Sequence, residues 1–164
     1  MKDKLAVVIL GNRNSGKSTT WYELFGAQVR TGQNGRRLNL TKCHYMEDVF
    51  LVNGSPEERN EPIANNFAAH SARVVLCSTQ YVTNNATLPW FINNGYELYV
   101  QWLNPGYHDS SKYRDTLNLI DYLVDAGATV KMQNGKLHVA DRVKELRQFI
   151  FGWASGRNLI NLEF

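Results

Sequence analysis

Two glycines, a lysine and a serine near the start of the chain have the types and the spacing needed to hold a phosphate group. Gly11, Gly16, Lys17 and Ser18 directly follow an apolar run that predicts a buried strand. Glycine lets the main chain turn tightly and approach a ligand closely. Backbone N–H groups at the start of a following helix would then face the phosphate, together with the lysine and the hydroxyl. We call residues 11–18 the glycine loop.

The spacing G-x-x-x-x-G-K-[ST] is met at every position, and here the chain resembles the P-loop NTPase superfamily. The resemblance implies that backbone N–H groups of residues 14–19 surround the phosphates of bound ATP. It also implies that Lys17 stabilises charge on the β- and γ-phosphates as a catalytic residue, and that Ser18 ligates Mg²⁺. The expected nucleotide-binding residues are Gly11, Asn14, Ser15, Gly16, Lys17, Ser18 and Thr19.

Phosphoryl transfer also calls for a carboxylate near the metal, usually beside the end of a second buried strand. Residues 48–53 predict such a strand, but it ends in Asn53, whose amide oxygen carries no charge. Glu57 and Glu58 follow closely and could reach the metal. Acidic residues after a proline also suit an ordinary helix N-terminus, and the two roles are compatible. We therefore expect Ser18 and Glu57 as metal ligands and Asn53 as a catalytic residue.

The segment after this strand is similar to two branches of the superfamily. Nucleoside monophosphate kinases carry Asp-Gly-x-Pro-Arg here, whereas this chain has Asn53, Gly54 and Pro56, with Arg59 two residues late. Small GTPases carry Asp-x-x-Gly, whose glycine N–H contacts the γ-phosphate, and a proline in that place has no N–H. The sequence also has no Asn-Lys-x-Asp guanine-reading motif at the end of a predicted strand. The resemblance therefore implies a small, kinase-like protein that prefers ATP to GTP.

A basic segment lies where small-molecule kinases carry a mobile loop that closes over the phosphates. Lys112 and Arg114 belong to this segment, residues 108–114. We expect Arg114 to act as the closing cation and to neutralise charge on the transferred group. The alternative is a solvated loop at the start of a helix.

A second basic group lies on the last predicted helix and has an ordinary explanation. Arg142, Lys144 and Arg147 fit the solvated face of a helix. The formal net charge is only +3, which does not favour a nucleic-acid partner.

Strands alternate with helices along the chain. Hydrophobic patterns predict strands at residues 4–10, 36–40, 48–53, 72–78 and 96–103. They predict helices at residues 18–26, 110–127 and 140–156. An Asn-Gly pair at residues 134 and 135 predicts a hairpin near the C-terminus. The pattern indicates a three-layer α/β/α sandwich with a mostly parallel sheet, in which the partly alternating strand 96–103 lies nearer an edge.

The composition is that of an ordinary globular protein. Of 164 residues, 43% are hydrophobic and 20% are charged. No apolar run is long enough to span a bilayer, and the two cysteines lack the spacing of a zinc site. These features predict a single cytoplasmic domain, residues 1–164, with no membrane segment.

Together these observations predict a protein that binds ATP with Mg²⁺ and transfers the γ-phosphoryl group to a small acceptor. The uncharged Asn53 favours a second possibility, a nucleotide-dependent binding or regulatory module with slow or absent hydrolysis and a protein partner. A GTPase-type switch is a third. The residues do not identify the acceptor or the partner.

Overall fold

The computed structural model describes residues 2–32, 34–67 and 72–163. These residues form a mostly parallel sheet of seven strands with helices on both faces. The strands are β1 (Lys4–Gly11), β2 (Arg36–Asn39), β3 (His44–Val52), β4 (Val74–Gln80), β5 (Tyr96–Leu103), β6 (Thr129–Gln133) and β7 (Asn161–Leu162). The helices are α1 (Lys17–Phe25), α2 (Pro56–Arg59), α3 (Thr87–Asn93), α4 (Leu119–Asp125) and α5 (Val139–Ser155), with a 3-10 helix at Ile63–Phe67. The predicted α/β class and the mostly parallel sheet are confirmed.

The sheet has the order β2-β3-β4-β1-β5-β6, and β7 pairs with β3. The strands β3, β4, β1, β5 and β6 run parallel, while β2 and β7 are antiparallel to β3. Strand β1 is central and pairs with a neighbouring strand on each edge. Its residues from Leu5 to Gly11 are buried, because its side chains alternate between the two apolar cores on the helix-covered faces of the sheet. The carboxyl ends of parallel strands meet at one edge of a sheet, which is where ligands bind in such folds. The glycine loop lies at that edge.

Helices α1 and α5 cover one face of the sheet, and α3 and α4 cover the other. Trp21 of α1 is fully buried, and its indole Nε1–H donates to Ser78 Oγ of β4 at 2.8 Å. The apolar stripe of α5 contributes Val143 and Leu146 to the same core. These contacts hold α1 at a defined position above the carboxyl edge of β1.

Of two predictions about the C-terminal half, the hairpin is wrong and the position of the strand at residues 96–103 is confirmed. Residues 134–138, all of which the structure describes, form a turn that leads directly into α5 and not the second strand of a hairpin. Strand β5 is the last but one in the sheet, between β1 and the edge strand β6, and so lies nearer an edge than β1 and β4, as the pattern predicts. Its polar residue Gln101, which produces the alternating pattern, is fully buried, and its Nε2 donates to the carbonyl oxygen of Arg142 at 3.3 Å.

The predicted helix at residues 110–127 is shorter in the structure, where α4 begins only at Leu119. The carboxylate of Asp115 accepts the N–H groups of Leu119 and Ile120, at 3.1 and 2.8 Å, and so satisfies donors of the first turn. Tyr81 also donates its hydroxyl to Asp115. Asp115, which Tyr81 contacts from a distant part of the chain, therefore determines that α4 begins at Leu119.

Within the described residues, no helix combines the length and the apolar character needed to cross a membrane.

Candidate functional site

The glycine loop joins the end of β1 at Gly11 to the start of α1 at Lys17. Gly16 has a φ of 104°, a conformation that residues with a side chain rarely adopt. At Gly11 a Cβ atom would lie only 2.3 Å from Ser15 Oγ. Both glycines of the sequence pattern are therefore required by the local geometry, one for its backbone angle and one for a close approach within the loop.

The first N–H groups of α1 are available to a ligand. Thr20 is the first residue of α1 whose N–H donates to the carbonyl oxygen four residues earlier, Gly16 O at 3.1 Å. The N–H groups of Lys17, Ser18 and Thr19 precede that ladder and have no intrahelical acceptor. The side chains of Ser18 and Thr19 are exposed at this end of the helix. This arrangement can bind an anion through backbone donors and the positive end of the helix dipole.

A cavity of about 600 Å³ opens above this helix end. It is lined by loop residues 14–19, by the end of β3 and start of α2 (Asn53, Gly54, Ser55 and Glu58), and by Tyr107, His108, Gly135, Lys136, Leu137, Val139 and Arg142. Among these groups, Lys17, Lys136 and Arg142 are cations and Glu58 is the carboxylate. The cavity is therefore electropositive, and its volume falls in the range of ordinary small-molecule sites.

Lys17 is held at the base of the cavity with only 6% of its surface exposed. Its Nζ donates to the carbonyl oxygens of Gly11 and Asn12, at 3.2 and 2.8 Å, and lies 3.5 Å from Glu58 Oε1. Burial lowers the pKa of Lys17, and the neighbouring Glu58 carboxylate partly offsets that effect. The lysine is thus a cation positioned before any ligand arrives.

The two glutamates of α2 have different surroundings. Glu57 accepts hydrogen bonds from Thr79 Oγ1 at 2.7 Å, from the Gln80 N–H at 2.6 Å and from the Thr87 hydroxyl. Its carboxylate is therefore occupied by β4 and α3, and it does not line the cavity. Glu58 does line the cavity and faces Lys17. The structure places Glu58, not Glu57, where a carboxylate could meet a metal or an acceptor.

Asn53 lines the same cavity beyond the end of β3. Its N–H donates to Thr31 Oγ1 at 2.8 Å, and its Nδ2 donates to Val29 O at 3.0 Å. Its Oδ1 is buried and has no hydrogen-bond partner among the described residues. A buried carbonyl oxygen without a partner is costly unless it meets a ligand, a water or an ion. Strand β4 lies between β3 and β1, so Asn53 is one strand removed from the glycine loop.

Arg114 does not line this cavity. It is exposed and belongs to a second cavity, of about 620 Å³, together with Lys112, Asp115 and Trp102. The structure therefore does not bring Arg114 together with Lys17 and Asn53. Its role as a closing cation stays a prediction that would require movement of the segment around it.

Arg142 is a cavity residue that the sequence pattern did not reveal. It was expected on a solvated face, but only 4% of it is exposed, and its Nη1 donates to Thr20 Oγ1 at 2.8 Å. The sequence did contain an indication of this burial. Arg142 lies four residues before Leu146 and eight before Ile150, and this spacing puts it on the apolar face of α5. Burial also lowers the pKa of Arg142.

A turn after β5 braces the glycine loop from the side. The Tyr107 N–H donates to Ser15 O at 3.0 Å, and Asn12 Nδ2 donates to Asp109 Oδ1 at 3.3 Å. The Gly135 N–H donates to Pro105 O at 2.7 Å, which ties the segment before α5 to the same turn. The turn therefore fixes the side of the loop at Asn12 and Ser15, and the segment before α5 supports the turn.

The residues present suit a polyphosphate with a bound Mg²⁺. Mg²⁺ is commonly held by phosphate oxygens, waters and one or two protein oxygens, so the Ser18 hydroxyl would be a sufficient protein ligand and would leave Glu58 free. In the part of the chain that the structure describes, no three His, Cys, Asp or Glu side chains gather into a metal site that would need no phosphate.

Searches of known protein families, of curated proteins and of solved structures found no match to this chain.

Proposed function

We propose that this protein binds a nucleoside triphosphate, ATP with Mg²⁺, in the cavity above the glycine loop and transfers its γ-phosphoryl group to a small acceptor. One observation carries the proposal. The buried Lys17 ammonium and the free N–H groups at the start of α1 converge on an electropositive cavity of about 600 Å³. The P-loop resemblance of the glycine loop agrees with this geometry.

Binding would replace interactions that the protein makes with itself. Lys17 is satisfied by two carbonyl oxygens and by Glu58, and phosphate oxygens would compete with the carboxylate for it. Hydrogen bonds between a charged donor and a phosphate are stronger than those to a neutral acceptor. Release of Glu58 from Lys17 would then leave the carboxylate free beside the terminal phosphate.

Glu58 is the best-placed residue for the chemical step. The bond between the γ-phosphorus and the β–γ bridging oxygen would break as a bond from the acceptor oxygen to the γ-phosphorus forms, and Glu58 would take the acceptor's proton. Lys17 would stabilise the charge that develops on the bridging oxygen, and Ser18 would hold the metal. When bound, Mg²⁺ supplies electrostatic neutralisation of the phosphate oxygens. Asn53 Oδ1 would accept a hydrogen bond from the acceptor or from a water.

A second candidate is a nucleotide-dependent binding module with slow or absent turnover. A specific observation favours it: Glu57 is occupied by three donors and Asn53 carries no charge, so among the residues that the structure describes Glu58 alone offers a carboxylate to the site. In that case the bound nucleotide would order the exposed groups at the cavity rim for a protein partner.

Thermal unfolding with ATP, ADP or GTP, each with Mg²⁺, tests the binding part of the proposal. ATP at about 100 times its Kd should raise the Tm of the wild-type protein by roughly 5–10 °C. Lys17→Met should lose most of this shift, because it removes the buried cation. Lys144→Met, an exposed lysine on α5, is the matched control and should keep the full shift. Absence of a shift with every nucleotide would overturn the proposal, and a shift with GTP alone would overturn the preference for ATP.

Incubation with γ-labelled ATP and a panel of nucleosides, nucleotides and sugars tests the transfer part. The proposal expects a labelled product, and Glu58→Gln should slow its formation roughly 100-fold while the ATP-induced Tm shift remains. If ATP binds but yields neither a product nor free phosphate, the binding module becomes the better description. Free phosphate without any labelled acceptor would point to a hydrolase.

A further inference from the structure

Arg142 is a buried cation whose charge the protein does not balance. Among the carboxylates that the structure describes, none lies within ion-pair distance of it. Its Nη1 bonds to the neutral hydroxyl of Thr20, and its Nε is buried without a hydrogen-bond partner. A buried guanidinium left in this state is unfavourable unless an anion completes its surroundings. The fold therefore maintains a positive charge that its own groups leave only partly satisfied.

The position of this charge indicates which anion it would meet. Arg142 lines the cavity, and its Nη2 would lie 3.9 Å from a Cβ atom placed on Gly16. Thr20 Oγ1, its hydrogen-bond partner, donates to Gly16 O at 2.9 Å. Arg142 thus stands beside the helix end of the glycine loop, whereas Lys17 Nζ bonds to Gly11 and Asn12 at the strand end. The two cations flank the start of α1 from opposite ends of the loop.

The cavity walls beside the two cations also differ. Lys17 faces the α2 wall, where Glu58 and Asn53 lie. On the Arg142 side, Arg142 Nη2 and the Gly135 carbonyl oxygen both lie 3.9 Å from the Gly16 Cβ position. The segment of Gly135 and the turn bonded to it bring Leu137 and Tyr107, which are 66% and 59% exposed, to the cavity. Exposed apolar and aromatic surface of this kind suits the nucleoside part of a ligand better than its phosphates.

We infer that the Arg142 guanidinium is a second anion-binding group of this site and contacts the phosphate nearest to the nucleoside, while Lys17 binds the distal phosphates. The assignment to a nucleotide phosphate rests on the proposed function. A di- or triphosphate tail would then bridge the two cations across the helix N-terminus. The buried position of Arg142 gives the guanidinium a fixed direction, which suits recognition of phosphate oxygens.

Binding measurements on Arg142→Met test the inference. Methionine fills similar space without charge, so the ligand-free Tm should stay the same or rise. The affinities for ATP and for ADP should both fall roughly 10- to 100-fold, since both ligands carry the proximal phosphate. A loss for ATP alone would place Arg142 at the terminal phosphate and overturn the inference, as would unchanged affinity for both ligands.

Two further variants separate ligand contact from a structural role. Arg142→Lys keeps the charge and should recover part of the affinity, which also covers the case in which the methionine variant fails to fold. Thr20→Val removes the hydrogen bond between α1 and α5 but keeps the guanidinium, so its affinities should fall less than those of Arg142→Met. If Thr20→Val weakens binding as much as Arg142→Met, the arginine acts only through helix packing and the inference is wrong.

Inorganic tripolyphosphate distinguishes failure of this inference from failure of the proposed function. Wild-type protein should bind it, and Arg142→Met should bind it roughly 10- to 100-fold more weakly. Binding of tripolyphosphate without any nucleotide would reject the proposed function but retain Arg142 as an anion-binding group. If the wild-type protein binds neither ligand, both proposals are wrong.

Discussion

Two cavities of similar volume are lined by helices from opposite faces of the sheet. They differ in how far their cationic side chains are buried. The first is lined by α1 and α5, and two of its three cations, Lys17 and Arg142, are almost completely buried, whereas Lys136 is exposed. The second is lined by α4, and its cations Lys112 and Arg114 are exposed to solvent. A buried cation needs partners from the protein or a ligand, whereas water satisfies an exposed one.

The contrast shows that burial of the cations, more than the local number of charges, separates the two cavities. In the sequence the second region is as basic as the first, and Arg114 was expected to close over the phosphates. In the structure the second cavity also carries Asp115 and Asp121, so its cations have acidic neighbours. The first cavity is lined by three cations and one carboxylate, Glu58, which pairs with Lys17 and leaves Arg142 without an acidic neighbour among the described residues.

The largest expected effect tests whether α2 is fixed as a wall of the first cavity. Glu57→Gln should destabilise the fold by about 2–3 kcal/mol, because the carboxylate accepts from Thr79, Gln80 and Thr87 and an amide would turn a donor toward them. Glu58→Gln is the matched control, with the same change on the adjacent residue, and should cost less, about 1 kcal/mol, because Glu58 is partly exposed and its partner Lys17 keeps two carbonyl acceptors. Urea unfolding of both variants measures the difference. Equal effects would mean that α2 is not anchored through Glu57.

The turn that braces the glycine loop provides the next test. A Cβ atom on Gly106 would lie 2.6 Å from Ser15 Cβ, so Gly106→Ala should destabilise the protein by about 2 kcal/mol. It should also reduce the ATP-induced Tm shift, since Ser15 belongs to the loop. Gly152→Ala, in α5, meets nothing within 4 Å and should be stabilising by about 0.5–1 kcal/mol. A stable Gly106→Ala protein with full ATP binding would show that the turn does not brace the loop.

The pH dependence of ATP affinity tests whether Lys17 binds as a cation. A bound phosphate would favour the charged lysine, so the pKa of Lys17 should be higher in the complex than in the free protein. Affinity is then greatest below the free-protein pKa and falls as the pH rises through it, by up to about 1.4 kcal/mol per pH unit. Burial lowers that free pKa, so the decline should begin at a lower pH than for an exposed lysine. Calorimetric titrations across the alkaline range measure the slope, and the residual affinity of Lys17→Met should lack it.

The smallest expected effect concerns the second cavity. Arg114→Ala should change the free energy of ATP binding by less than about 0.5 kcal/mol, because the exposed guanidinium lies outside the first cavity. Equilibrium binding measures this directly. A loss comparable to that of Arg142→Met would show that residues around Arg114 move to the phosphates, and the distinction between the two cavities would fail.

The local part of the site could be predicted because local geometry determines it. The apolar run before Gly11 and the glycine spacing placed a strand at residues 4–10 and a helix at residues 18–26, and the structure has Lys4–Gly11 and Lys17–Phe25. Glycine backbone angles and strand periodicity depend on a few neighbouring residues, so a single sequence reveals them.

The remaining part depends on contacts between distant segments. Arg142 is buried because α5 packs across α1, and Glu57 is occupied because β4 and α3 present donors to it. Arg114 lies apart because Asn104 binds the backbone of Tyr113 through hydrogen bonds of 2.8 and 3.0 Å and so fixes the course of this segment. Periodicity within one helix or loop does not encode such partners.

The bond from Trp21 to Ser78 limits how this protein can respond to a ligand. Because the indole is anchored inside the core three residues after Ser18, α1 cannot advance or rotate toward an incoming molecule without breaking a 2.8 Å hydrogen bond. The conformational entropy that is lost when the amide donors become oriented is therefore lost on folding, before a ligand binds. If a ligand binds at this helix end, α1 would not move to meet it. Any movement would come from the ligand or from the cavity wall opposite α1.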